Sequence, residues 1–132
     1  MSQEHQTIRR IYEAFSRRDL AVIADEMHGE AQVDFGRSIG PESGIYPGVE
    51  GIERLLSLYW EAFEDISIEP ESFIDGTDGI VALVVARGVG RGSGANVEAR
   101  GPHLWNFRDG KPVRFTLFQE EAEALEAAGL RE

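Results

Sequence analysis

Cysteine is absent from this chain, and lysine occurs once, as Lys111. The first absence excludes disulfides, thiolate metal sites and a cysteine nucleophile together. The second leaves arginine carrying nearly all the positive charge, scattered among acids. At a formal net charge of −11, no basic stripe exists to displace counterions from nucleic acid. Anionic membrane surfaces are disfavoured for the same reason. No apolar run approaches the ~18 residues of a membrane span. The opening Met1-Ser2-Gln3-Glu4-His5-Gln6 lacks an apolar export core, so a cytoplasmic location is expected. His5, His28 and His103 share no ligand spacing, and no metal site is expected. Gly88-Val89-Gly90-Arg91-Gly92-Ser93-Gly94 fails the G-x-G-x-x-G spacing and opens no helix. It reads as a hairpin tip rather than a dinucleotide cradle.

What is present suits a single domain over residues 1–132 with a real core. Ile8, Ile11, Tyr12 and Phe15 recur at i, i+3, i+4 and i+7, which predicts a helix over Thr7–Ser16. Asp19 can cap a short second helix with Leu20, Ile23 and Met27 on one side, closed by Gly29. Ala31–Phe35 is a short strand candidate. Gly36–Gly48 reads as a loop, with Tyr46 as a possible lid residue. Ile52, Leu55, Leu56, Tyr59 and Phe63 stripe a third helix over Val49–Phe63, widened by Trp60. The period then changes to two. Strands are predicted at Ile66–Asp75, Ile80–Arg91, Val97–Arg108 and Val113–Glu120, with Pro70 marking an edge or break. A closing helix over Glu121–Ala128 ends at Gly129. The class is α+β: a curved sheet closed over helices, leaving a cone with an opening and room for a small molecule.

Asp109-Gly110 is a strong hairpin signal between two apolar-rich runs. His103, Trp105 and Phe107 share one parity, so a titratable imidazole stands in line with two large aromatics. That pattern suits a pocket wall. Trp60, Trp105, Phe107, Phe115 and Leu117 are candidate apolar walls, and core packing explains them equally well. Arg87 and Arg91 could hold a polar group at the mouth, or sit as solvated edge charges.

Several motifs then resemble the nuclear transport factor 2-like superfamily, and within it the SnoaL-like proteins. They are Ile11-Tyr12-Glu13-Ala14-Phe15 with Arg18-Asp19-Leu20, Tyr46-Pro47-Gly48-Val49-Glu50-Gly51-Ile52, His103 through Lys111, and Glu123-Ala124-Leu125. The resemblance implies a cystatin-like conical barrel: a mixed, mainly antiparallel sheet wrapped on three N-terminal helices, with a short C-terminal helix. It also implies a homodimer through the outer sheet face, and no cofactor. Ile80, Ala82, Val84, Ala86, Gly88 and Gly90 share one parity of the long strand, and are expected to form that contact. The opposite set, Val81, Leu83, Val85, Arg87, Val89 and Arg91, is expected to face the pocket.

By the same resemblance His103 occupies the strand position where ketosteroid isomerases carry an oxyanion-stabilising aspartic acid. Tyr12 stands where they keep a hydroxyl that polarises a carbonyl. Glu120 lies near the base of the SnoaL-type cyclases, though an acid opening a helix also suits the helix dipole. Asp34 precedes the position of the isomerases' base, which here is Phe35. No Arg-x-Asp pair lies on the His103 strand, which argues against limonene-type epoxide hydrolases. The expected function is a pocket for a small hydrophobic carbonyl compound, with isomerase or polyketide cyclase-like proton transfer. The alternatives are non-catalytic binding of a small molecule and a dimeric protein-interaction module.

Overall fold

The computed structural model describes residues 2–36 and 43–130. The chain runs α1 (Gln3–Ser16), α2 (Leu20–Glu26), β1 (Gln32–Asp34), β2 (Ile45–Pro47), α3 (Gly48–Ala62), β3 (Phe63–Asp75), β4 (Ile80–Gly90), β5 (Asn96–Arg108), β6 (Lys111–Leu117) and α4 (Glu121–Ala127). Among the described residues six strands form one open sheet in the order β2-β1-β6-β5-β4-β3, and only the β1–β6 pair is parallel.

Local chemistry explains the boundaries. The Ser2 hydroxyl accepts from the His5 N–H at 3.1 Å and caps α1. Asp19 accepts from the Val22 N–H at 3.2 Å and caps α2. Asp109 and Gly110 both adopt positive φ, 54° and 81°, as a tight primed hairpin turn requires. Pro70 lies on edge strand β3, where the register shifts between Pro70 and Ser72. Part of the expected 36–48 loop is strand: β2 pairs antiparallel with β1 through Val33 and Tyr46. Three residues are too few for period two to register in sequence. Residues 37–42 of that loop lie outside the described residues.

The sheet bends around α1, α2 and α3, and its concave face carries the main core. Ile8, Ile11, Tyr12, Phe15, Ile52 and Leu55 pack there against Ile80, Ala82, Val84, Trp105 and Phe115. This corrects the expected sidedness of β4. The small set Ile80, Ala82, Val84, Ala86 and Gly88 faces the helices. Of the bulky set, Val81, Leu83, Val85 and Arg87 face outward, where Val81 joins Leu104, Phe118, Ala124 and Ala128 under α4. The reason is volume: small residues make room where a curved sheet approaches helices, and large ones are needed to bury α4. The small set is therefore not the expected subunit contact.

Gly76 sits where α4 closes on the β3–β4 turn. A Cβ there would overlap the Ala128 carbonyl oxygen, which accepts the Asp78 N–H at 2.9 Å. Gly76→Ala is expected to lower unfolding free energy by ~1–3 kcal/mol in urea titration. An unchanged midpoint would contradict this packing.

Candidate functional site

Between the concave face and the helices lies a cavity of about 320 Å³. That is at the small end of the ~300–1,000 Å³ typical of small-molecule sites. α1 contributes Ile11, Tyr12 and Phe15, and α3 contributes Ile52, Leu55, Leu56 and Tyr59. Val33 and Phe35 close the β1 side. Val84, Ala86, Ala99, Gly101, His103, Trp105, Phe115 and Leu117 form the sheet side. Gln119 and Ala99 are exposed and mark the rim. Among the described residues, no aspartate, glutamate or lysine lines this space; Arg100 and Gln119 are its charged and amide residues.

The hollow has a simple origin. His103 pairs with Ala82 and Leu117, and Trp105 pairs with Ile80 and Phe115, so these side chains share the concave face. Two residues along, the same parity of β5 carries Gly101 and Ala99, which fill nothing. A Cβ at Gly101 would meet no heavy atom within 4 Å.

Three polar side chains meet in the apolar wall. The Trp105 indole N–H donates to the Tyr12 hydroxyl oxygen at 3.0 Å. The Tyr12 hydroxyl lies 2.7 Å from His103 Nδ1. Phe115 packs edge-on against both His103 and Trp105, with ring centroids 4.7 and 4.8 Å away. The three are buried, His103 at 6% exposure. Among the described residues every sealed side-chain nitrogen and oxygen has a partner. His103 bonds only through Nδ1, so its Nε2 is open to the cavity. Burial pushes the imidazole pKa down to about 3, so the ring is neutral at pH 7. Burial also raises the Tyr12 phenol well above its ordinary range, partly opposed by the Trp105 hydrogen bond.

The structure thus brings together Tyr12, His103, Trp105, Phe115 and Leu117, and places the other candidates elsewhere. Asp34 points to the convex face, where its carboxylate accepts from Arg114 at 2.6 Å and from the Gly36 N–H at 2.8 Å. Glu120 is exposed at the start of α4. Arg87 pairs with Glu98 at 2.9 Å on the convex face. Arg91 donates to the carbonyls of Trp60, Glu61 and Phe63, capping the C-terminus of α3. Trp60 packs on Phe15 and donates to its carbonyl at 3.2 Å, outside the cavity. Phe107 follows a register shift after Asn106 and packs in the core beyond the cavity. Tyr46, half-buried on β2, packs against the core and does not line the cavity. Phe15, Phe35, Tyr59 and Gly101 were missed. Phe15 and Tyr59 lay on apolar helix stripes, and Gly101 lay two residues from His103 on the same parity.

Residues 8–115 match the family described as the SnoaL-like domain. The chain belongs to that family. Solved structures carry the same fold. A nuclear transport factor 2-like protein of unknown function from Burkholderia pseudomallei is 25% identical, with a TM-score of 0.78 over 97% of this chain and 98% of that one. TerC, co-crystallised with polyporic acid, is 22% identical, with a TM-score of 0.78 over 96% and 98%. A Mycobacterium tuberculosis protein in complex with estradiol-17β-hemisuccinate is 14% identical, with a TM-score of 0.75 over 92% and 96%. No curated protein matches significantly. No helix among the described residues of this SnoaL-like chain is long and apolar enough to cross a membrane.

Proposed function

We propose that this SnoaL-like protein binds a small, largely apolar carbonyl compound, its oxygen seated on His103 and its rings against Phe15, Phe35, Tyr59 and Trp105. One observation carries the reading: an imidazole nitrogen unbonded among the described residues stands in a mainly apolar cavity, with Arg100 and Gln119 also in its lining. Two structural neighbours hold ring compounds, which suits walls of this composition.

Binding is favoured over proton transfer. No carboxylate lines the cavity among the described residues, and an imidazole with a pKa of about 3 is a weak base. The isomerase or cyclase reading rests on the open nitrogen, since a donor there could stabilise an enolate oxygen. Pairing of two copies through the convex face belongs to the same proposal. Half-buried Leu83 lies there beside the Arg87–Glu98–Arg100–Glu71 ion pairs. Sedimentation showing only a monomer would remove that part.

The ligand test is a fluorescence titration with bicyclic aromatic ketones, since Trp105 lines the cavity. Saturable quenching is expected. His103→Phe, which keeps a ring but loses the nitrogens, should weaken binding ~3–10-fold. Absence of saturable binding across a ketone panel would overturn the reading. Exchange of ketone α-protons in deuterated water, lost in the same variant, would favour catalysis instead.

A further inference from the structure

The buried indole N–H of Trp105 needs an acceptor, and the one it has sets a direction. An indole nitrogen only donates, so the Tyr12 oxygen is the acceptor of that bond at 3.0 Å. The Tyr12 hydroxyl proton then needs an acceptor, and the atom 2.7 Å away is His103 Nδ1. A neutral imidazole that accepts at Nδ1 carries its proton on Nε2. Each donor in the chain is used once, and the last one, Nε2–H, faces the cavity. The reverse arrangement would give the Tyr12 oxygen two incoming donors and leave its own proton without a partner.

We infer that Trp105 is a positioning residue that locks His103 as a hydrogen-bond donor, so that the cavity selects ligands whose buried polar atom is an acceptor. The selectivity rests on the cavity being the ligand site proposed above; the lock does not. The ligand class is a ketone or quinone carbonyl set in an apolar ring system. A molecule offering only an N–H in the same place would face Nε2–H donor to donor. Its own donor would be buried unsatisfied, which is the strongest discrimination such a site can make. Trp105 reaches His103 only through Tyr12 in this chain of hydrogen bonds; it is also a wall of the cavity, so the tautomer of His103, and not binding alone, reads its positioning role.

The lock is read in the full-length protein by nitrogen-15 NMR of His103, which distinguishes a protonated Nε2 from a protonated Nδ1. Wild type should show Nε2–H with an unprotonated Nδ1. Trp105→Phe keeps a ring but removes the donor, and Tyr12→Phe removes the hydroxyl, so both should shift the ring toward a tautomer mixture. Either variant suffices if the other fails to fold. The selectivity is read with α-tetralone, an acceptor, and indole, a donor. Wild type should prefer the ketone by at least ~10-fold, and a folded Trp105→Phe should narrow that ratio. Protonated Nδ1 in wild type overturns the lock whatever binds. An unchanged tautomer in both folded variants overturns the role of Trp105. If Nε2–H is present but neither compound binds, the lock stands and the ligand reading, with its selectivity, falls.

Discussion

Gly101→Leu is expected to reduce ketone binding at least ~100-fold while leaving the protein as stable as wild type or slightly more so. Gly101 lines the cavity, its φ lies outside the left-handed region, and a Cβ there meets nothing within 4 Å. The added side chain therefore grows into the space a ligand needs. A packed interior does not yield a second cavity in compensation. Glycine inside a strand is destabilising by ~0.5–1 kcal/mol relative to residues with side chains, so replacing it removes a weakness. Lost binding with an unchanged or raised melting temperature separates occupation of the cavity from general damage. Undiminished binding in this variant would place the ligand elsewhere.

Acid should weaken the fold through His103. Its folded pKa of about 3 lies below the ordinary value of 6.5. Between those values the unfolded chain takes up a proton that the folded chain refuses. The contribution is thus fully present above about pH 6.5 and is lost as pH falls toward about 3. Between pH 6.5 and pH 5 this one group should remove about 2 kcal/mol of stability. His103→Asn, which cannot titrate, isolates the effect from the carboxylates. Urea denaturation should show a pH slope shallower by that amount in the variant. Parallel slopes would mean that the imidazole is hydrated and titrates normally.

The sequence carried most of the fold because its strongest signals are local. The α1 stripe, the Asp19 cap and the Asp109-Gly110 turn each depend on neighbours a few residues apart, and each appears where expected. β2 was hidden because its three residues acquire meaning only by pairing with β1. The sidedness of β4 was inverted for a related reason. Apart from Arg87 both parities of Ile80–Gly90 are apolar, and their sides are decided by elements distant in sequence, α1 and α3 on the concave face and α4 on the convex.

For the site, parity placed His103 and Trp105 on one face and the resemblance named Tyr12; the structure puts its hydroxyl 2.7 Å from His103 Nδ1, across 91 residues of sequence. Asp34 and Phe35 show the limit most clearly. Adjacent strand positions face opposite ways, so the carboxylate meets Arg114 while the phenyl ring enters the cavity. Nothing local in the sequence distinguishes Glu120 in a cavity from Glu120 at a helix start; the end of β6 at Leu117 does.

A crystal structure of the protein with a bound bicyclic ketone addresses the hollow and its imidazole most directly. The carbonyl oxygen should lie ~2.7–3.2 Å from His103 Nε2, with the rings against Trp105 and Phe115. A ketone bound on the convex face, or seated with its oxygen at the Gln119 rim and carbon against Nε2, would contradict the account.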